Sequence, residues 1–297
     1  MLAIVIPFYK ITFFEETLAS LASQTNKRFK LYIGNDGSNE NPAPIIEKYS
    51  QNINLKYIAY KNNLGKESLV SHWNRCIEMI EAEEWILILG DDDILGSNVV
   101  ESFYRSIEDQ ENILNVIRFS TVKISDTAAK ISQHYSHPIK EKSPDFLFKN
   151  VRSSLSEYVF RTSQVKKIGF KDFPLAWYSD VLAVLEFSNF NEILTINEAC
   201  VHVRISELSI SGSEDHAAAK AKAKFEFYYY LLSKKIKNFS PLQVDELFHR
   251  INKSYLNEKK KIIYFYKISV LYFSNYKIKK YFTFLSLILV GLLKSLK

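Results

Sequence analysis

Cysteine is scarce in this 297-residue chain: Cys76 and Cys200 are the two it contains. They allow one disulfide at most. Neither lies in a Cys-x-x-Cys or Cys/His cluster, which argues against a zinc site or a disulfide framework and fits a reducing compartment. A basic leader with a small-residue cleavage site is also missing. Met1 runs straight into an apolar stretch, so a cytoplasmic catalytic part is expected. No internal repeat is visible. The uncharged run at residues 281–293 is thirteen residues long, short of the ~20 that a membrane-spanning helix needs. Acids are nearly absent from the end of the chain. Residues 253–297 hold ten lysines against one acid, Glu258, a balance of +9, and since the whole chain carries +6 the first 252 residues carry −3. A mildly acidic body with a basic tail points to an anionic surface touching the tail, and away from a nucleic-acid-binding core.

What is present suits a globular α/β protein. Hydrophobic residues make up 47% and charged residues 24%, enough for a full core and unlike a disordered chain. Apolar runs at residues 2–8, 29–34, 55–60 and 85–89 read as buried strands. Thr12-Phe-Phe-Glu15 has capping-box spacing ahead of Phe14, Leu18 and Leu21, which share a helical face. Residues 42–49 and 67–83 read as further helices. Strands alternating with helices on short connections predict a mostly parallel sheet flanked by helices. Such sheets bind ligands at the carboxyl ends of their strands. Four polar stretches fall there: Phe8-Tyr9 and residues 35–38, 62–66 and 91–93.

Further on, a helix starts near Ser97 and a strand covers residues 113–120. Residues 121–150 read as an insertion or long loop, followed by short helical pieces and an apolar stretch at 177–190. Strands are expected at 193–196 and 200–205, and a helix at about 215–235. Ser240-Pro-Leu-Gln243 supplies the cap, first-turn proline and N3 glutamine of another helix. The expected division is 1–212 for the α/β domain, with halves 1–120 and 121–212, and 213–297 for a helical C-terminal region. The tail mixes lysine with tyrosine, phenylalanine and isoleucine, as does a helix lying in a membrane interface. The alternative for this stretch is a core helix or a contact between copies of the chain.

Two acidic turns carry the chemistry. Asp91-Asp92-Asp93 ends the fourth strand, and three adjacent carboxylates repel one another unless a cation joins them. Mg²⁺ or Mn²⁺ fits, because these ions favour hard oxygens and bind through one or two carboxylates plus substrate phosphates. An acidic turn that merely caps the next helix is the competing reading. Asn35-Asp36-Gly37-Ser38 is a tight turn by composition, and Asp36 there could accept a hydrogen bond from a base or a ribose. His202 and Arg204 share one face of a strand, a pairing that suits a diphosphate.

Taken in order, Ile4-Val-Ile-Pro-Phe-Tyr9, Asn35-Asp-Gly-Ser38, Asn63-Leu-Gly65, Asn74 and Leu89-Gly-Asp-Asp-Asp93 resemble family-two glycosyltransferases with the GT-A fold, of the bacterial surface-polysaccharide type. The likeness is good over about the first 120 residues and looser to about residue 212. It implies that Pro7, Phe8 and Tyr9 lie by the nucleotide base, that Asp36 holds the uracil or its ribose, and that Gly65 lets backbone approach the donor with Lys66 near phosphate. Asn74 matches a helix asparagine, although the arginine usual before it is Trp73. In the family's Asp-x-Asp motif, Asp92 becomes the metal ligand and Asp91 the ribose support, while the motif's first acid falls on Gly90. Gly169-Phe-Lys-Asp-Phe-Pro-Leu-Ala-Trp-Tyr-Ser-Asp180 looks like the region of the family's general base. Asp180 is the candidate, Asp172 the fallback, and a plain helix cap the alternative. His202 and Arg204 resemble a late basic motif that closes over the donor, with residues 206–213 a loop and Gly212 a hinge.

The resemblance thus implies an inverting, metal-dependent transferase that moves a sugar from a nucleotide donor, a UDP-sugar in the first place, to a saccharide or lipid-linked saccharide acceptor. It would work from the inner face of the cytoplasmic membrane. A sugar-1-phosphate nucleotidyltransferase is the alternative, but it wants a glycine-rich basic loop after the first strand, and Pro7-Phe-Tyr-Lys10 has no glycine. A non-catalytic sugar-nucleotide binding module is the third reading.

Overall fold

The apolar runs at the start of the chain become four parallel strands: β1 (Leu2–Phe8), β2 (Phe29–Asn35), β3 (Leu55–Ala59) and β4 (Trp85–Ile88). The computed structural model describes residues 1–108, 114–149, 153–206, 216–256, 261–275 and 277–295. These residues group into two units, one of Met1–Asp172 with Ser179–Asp215, the other of Phe173–Tyr178 with His216–Lys297.

The first unit is built on one mixed sheet. Its remaining strands are β5 (Ile94–Leu95), β6 (Val116–Ile124), β7 (Lys140–Lys142), β8 (Tyr158–Arg161) and β9 (Glu192–Arg204), in the order β3-β2-β1-β4-β8-β6-β9-β5, with β7 also on β9. The β3-β2-β1-β4 half is parallel. Beyond it β8 runs antiparallel to both β4 and β6, while β6 and β9 are parallel. The helices of this unit are α1 (Phe14–Ala22), α2 (Ala43–Ser50), α3 (Leu69–Ile77), α4 (Val99–Glu108), α5 (Ser143–Phe148), α6 (Thr162–Ile168) and α7 (Ser179–Phe187). Ile4, Ile6, Phe8, Leu31, Ile33, Leu87 and Leu89 are fully buried and join Phe14, Leu18, Leu21 and Phe103 in one core. At roughly 1.5–3 kcal/mol for each buried large apolar side chain, this core is the main stabilising term.

Several local expectations shift. Residue Phe13 occupies the N-cap of α1 without a side-chain bond, so Thr12 and Glu15 form no capping box. α3 is shorter than residues 67–83: Ser68 caps it by accepting from Ser71 N–H, and it ends at Ile77. The 121–150 region is not a long loop. β6 continues to Ile124, and the chain returns along it through bridges at Ile124/Lys130 and Thr121/Tyr135. The two late strands are one, β9, whose register with β6 shifts between Phe119 and Ser120.

The second unit holds α8 (Ala217–Tyr230), extended by a π turn at Leu231–Lys235, then α9 (Pro241–Leu256), α10 (Ile262–Ser274) and α11 (Ile278–Ser295). The capping box that opens α9 is formed: Ser240 N–H donates to Gln243 Oε1 at 2.9 Å, and Gln243 N–H to Ser240 Oγ at 3.3 Å. Aromatic rings fill the interior, with Tyr272 4.5 Å from Phe248 and 5.9 Å from Phe284. Asn252 donates to the Tyr272 hydroxyl at 2.8 Å. In the Phe173–Tyr178 segment, the Tyr178 ring stacks on Phe227 of α8 at 4.6 Å.

Candidate active site

The parallel strands end together. β1 closes at Phe8, opposite Asn35 of β2, and the ladder continues as Asp36 N–H donates to Phe8 O at 2.9 Å, Tyr60 N–H to Asn35 O at 3.0 Å and Leu89 N–H to Val5 O at 2.9 Å. The turns carrying Tyr9, Asp36, Gly65 and the acidic triplet therefore leave the same edge of the sheet. A small cleft opens there, lined by Lys10, Thr12, Phe13, Asp91, Asp92 and Ser206.

The three aspartates have different surroundings. Asp93 is buried and accepts from the Arg204 backbone N–H at 2.9 Å and from the Ser156 hydroxyl. Asp91 uses Oδ2 to accept the N–H groups of Tyr9 and Lys10, both at 2.8 Å, which pins the turn after β1 to the turn after β4. The Asp92 carboxylate accepts from its own backbone N–H and feels the positive charges of Arg204 and Lys10. Burial, then the neighbouring Asp92, pushes the Asp91 carboxyl up to about 7. Burial, then Asp93, does the same to Asp92. Gly90 belongs here for a steric reason: a Cβ would lie 2.8 Å from Asp92 Oδ1 and 3.1 Å from Asp93 Oδ2.

Asp91 and Asp92 supply hard carboxylate oxygens with more negative charge than the protein offsets. That fits a divalent ion completed by diphosphate oxygens. No group of three or more His, Cys, Asp or Glu side chains is arranged to hold a metal among the described residues.

Asp36 is buried, and its carboxylate is spoken for. Oδ1 accepts from Leu64 N–H and Oδ2 from Gly65 N–H, both at 2.8 Å. Arg75 Nη2 also donates to Oδ1. The same guanidinium donates to Asn62 O at 3.0 Å and lies 4.0 Å from the Tyr60 ring centroid. Asp36 thereby anchors the loop after β3. A Cβ on Gly65 would sit 2.4 Å from Asp36 Oδ2, so this glycine makes room for that carboxylate. Lys66 is exposed on the loop, and its N–H donates to Asn63 Oδ1 at 2.8 Å.

His72 completes the cluster, with Nδ1 3.4 Å from Asp36 Oδ1. That spacing would suit an imidazolium, but Arg75 Nε donates to Nδ1 at 3.2 Å, which requires a neutral ring. Burial lowers the His72 pKa to about 4, against the pull of Asp36 and helped by Arg75. Sequence reasoning had no role for Arg75 or His72. Their signal is helical spacing: three residues apart on α3, they share a face, and a buried Asp36 calls for a cation. Asn74 lies exposed on α3, and Trp73 packs edge-on to Phe170 at 5.6 Å.

Phe8 and Arg204 both turn inward. Phe8 is wholly buried, its ring 4.6 Å from Phe14. It presents no surface to a base, whereas Tyr9 is 43% exposed and Pro7 is partly buried at the strand end. Arg204 is buried rather than poised over a diphosphate. Nη2 donates to Glu16 at 2.6 Å, Nη1 to the carbonyls of Ser125 at 2.8 Å and Asp126 at 3.0 Å, and Nε to Asp92 O at 2.9 Å. The Phe13 ring covers its face at 4.1 Å. Arg204 thus braces the acidic turn. His202 is half-buried, its pKa lowered by burial and then by Lys130 and His134. The loop and hinge expected at 206–213 lie outside the described residues beyond Ser206.

Asp180 stands in the first turn of α7 and accepts from the Ser153 hydroxyl at 2.8 Å. The Tyr158 hydroxyl lies 3.2 Å from Ser153 Oγ, on the side away from that bond's proton. Ser156, three residues on, accepts from Gly90 N–H at 3.0 Å and donates to Asp93. One short segment therefore links the acidic triplet to Asp180, and three residues of chain span about 10 Å at most. Leu175, Ala176 and Tyr178, just before Asp180, all have left-handed backbone, with φ of 61°, 53° and 73°. Such strain costs about 1–3 kcal/mol per residue and clusters at functional sites.

The parallel half of this Rossmann-like sheet thus brings carboxylates, an exposed aromatic and a lysine to one carboxyl edge. The sequence model of glycosyl transferase family 2 matches residues 3–169, more than half of the chain, and the chain belongs to that family. The solved structure of S. aureus TarS 1–349 in complex with UDP-GlcNAc shares the fold, with a TM-score of 0.64 over 86% of this chain and 72% of that one at 16% identity. Chondroitin synthase of Pasteurella multocida is 40% identical over 63 residues, 20% of this chain and 6% of that protein. Glycosyltransferase GlyG of Streptococcus pneumoniae serotype 4 is 22% identical over 112 residues, 37% of this chain and 36% of that protein. The matched stretches cover well under half of these two curated relatives.

Proposed function

We propose that this chain is an inverting glycosyltransferase that moves a sugar from a UDP-sugar to a saccharide or lipid-linked saccharide hydroxyl in surface polysaccharide synthesis. The observation that carries the reading is the cleft at the carboxyl edge of the parallel strands, with Lys10, Asp91 and Asp92 on its wall. TarS, which shares the fold, is seen with UDP-GlcNAc, and this supports UDP as the nucleotide.

In this reading Asp92 would hold a Mg²⁺ or Mn²⁺ ion, which when bound offsets the charge on the departing diphosphate, and Asp91 would support the donor ribose. Lys10 adds positive charge on the same wall. Tyr9 offers its ring to the base. Asp36 acts through the loop it anchors, fixing Gly65 and Lys66 beside the donor. Asp180, oriented by Ser153, accepts the proton of the acceptor hydroxyl as its oxygen attacks the anomeric carbon. The new C–O bond forms opposite the one that breaks to diphosphate, so the anomeric centre inverts. The nucleotidyltransferase alternative needs backbone donors after β1 to hold triphosphate. Asp91 already takes the N–H groups of Tyr9 and Lys10, which disfavours it.

The test is a UDP-release assay over a panel of UDP-sugars, with saccharide and lipid-linked acceptors, on the wild-type chain and Asp180→Asn. The expected result is turnover of one donor, with kcat falling about 10²–10⁴-fold in the variant and UDP affinity unchanged within about twofold. Full activity in Asp180→Asn would remove it as the base. No turnover of any donor would favour the binding-module reading.

A further inference from the structure

Tyr158, the first residue of β8, is fully buried. A phenol taken out of water needs a hydrogen-bond partner for its hydroxyl. That partner is Ser153, whose Oγ lies 3.2 Å away. The direction of the bond follows from a count of protons. Ser153 has one hydroxyl proton, and at 2.8 Å it goes to Asp180 Oδ2, which as a carboxylate can only accept. The Tyr158 O–H is then the donor to Ser153 Oγ. Burial, then the Glu157 charge, pushes the phenol well above the ordinary tyrosine range, against the pull of Arg118 and Ser153. Tyr158 therefore keeps its proton at neutral pH and remains a donor. Two bonds run in one sense, from Tyr158 to Ser153 to Asp180, and each polarises the next.

The two links differ in how firmly they are held. Ser153 sits in irregular backbone ahead of the short turn at Leu155–Glu157. Tyr158 belongs to a strand that pairs with β4 on one side and β6 on the other. Its neighbour across the ladder, Arg118, is itself buried and fixed, with Nη2 donating to Glu141 at 3.0 Å and to Thr195 Oγ1 at 2.9 Å. Groups built on strands are placed more precisely than groups on loops. Asp180 needs such placement. It stands in the first turn of α7, where unpaired helix N–H groups and the helix dipole attract a carboxylate. A carboxylate that turns onto its own helix end no longer serves the acceptor. We propose that Tyr158 is a positioning residue for Asp180: acting through Ser153, it holds the carboxylate in the orientation from which the acceptor's proton is taken. The inference rests on the reading of Asp180 as the base and adds to it a residue that acts through another side chain.

The experiment is the UDP-release assay on the full chain, over the same panel of UDP-sugars and acceptors. It compares wild type, Tyr158→Phe, Ser153→Ala, the double variant Tyr158→Phe/Ser153→Ala and Asp180→Asn, with thermal melting to check folding and titration with UDP for affinity. Tyr158→Phe keeps the ring and loses the hydroxyl. In it and in Ser153→Ala, kcat should fall about tenfold, within the loss that a misplaced catalytic group causes, while donor KM and UDP affinity stay within about twofold. Because Tyr158 acts through Ser153, the double variant should fall no further than Ser153→Ala. A folded Tyr158→Phe with wild-type kcat overturns the proposal, as does a double variant whose losses multiply, or a loss carried by KM with kcat unchanged. If Tyr158→Phe does not fold, Ser153→Ala decides: wild-type kcat there overturns the proposal, because Tyr158 reaches Asp180 through Ser153. When Asp180→Asn is impaired, these failures leave the base in place and remove only Tyr158. Full turnover in Asp180→Asn, or no turnover of any donor by wild type, overturns the base and this inference together.

Discussion

Replacing Arg75 by alanine removes the guanidinium that faces buried Asp36, and the structure says how the loss depends on pH. Breaking a buried ion pair from one side costs about 3–5 kcal/mol. Asp36 keeps two backbone N–H donors, from Leu64 and Gly65, so about 3 kcal/mol is expected at pH 7.5. At roughly 2–4 °C per kcal/mol for a unit of this size, Tm should fall by about 6–12 °C. His72 then sets the pH dependence. In the wild type its folded pKa is lowered to about 4, below its unfolded value near 6.5. The unfolded chain binds the proton first, so stability is full above about pH 6.5 and is lost as pH falls toward 4, at up to ~1.4 kcal/mol per pH unit. In Arg75→Ala one nearby positive charge is gone while Asp36 Oδ1 remains 3.4 Å from Nδ1. The His72 pKa rises, although burial, its largest cause of depression, remains, so His72 is more readily protonated as a partner of Asp36 and acid destabilises less through this site. Melting curves of both proteins from pH 7.5 to 5 should show the Tm gap narrowing. A gap that stays constant or widens on acidification, or a variant as stable as wild type at pH 7.5, refutes the Asp36–His72–Arg75 account.

Two other substitutions test the bracing of the site. Arg204→Lys keeps the charge but loses the fork that reaches Asp92 O, Ser125 O and Asp126 O; thermal melting should show a loss of about 2–4 kcal/mol, and nucleotide affinity should drop because the acidic turn is released. Gly65→Ala puts a methyl group where Asp36 Oδ2 lies 2.4 Å away; the carboxylate is clamped from three sides, so the loop must move, and calorimetry should show UDP binding weakened about tenfold with a stability loss of about 1–3 kcal/mol.

The parts of this fold legible in the sequence are those where period and burial agree. β1, β2 and β4 are continuous apolar runs because both faces of the sheet are covered, and their ends lie within a residue or two of where the pattern stops. The turn-rich segments at residues 35–38, 62–66 and 91–93 do lie at one sheet edge, because parallel strands joined by helices bring their carboxyl ends together. β8 was hidden: Tyr158–Arg161 has four residues, and its antiparallel place between β4 and β6 is decided by tertiary pairing. β7 and the return of residues 130–135 along β6 were hidden for the same reason. Side-chain direction was the least legible level. Phe8 and Arg204 sit where the family pattern puts them, yet both point inward, because Phe14 offers Phe8 a core contact and Glu16 offers Arg204 a partner 188 positions away in the chain. No local spacing announces such a pair.

The central claim is that the cleft beside Asp92 binds a nucleoside diphosphate with a divalent ion. Isothermal titration of the full chain with UDP, GDP and CDP, each with and without Mn²⁺, on wild type and Asp92→Ala tests it directly. The account predicts binding of UDP that requires Mn²⁺ and is lost in Asp92→Ala, while thermal melting shows the variant folded. Binding that is unchanged in Asp92→Ala, or no binding of any of the three nucleotides with Mn²⁺ present, contradicts it.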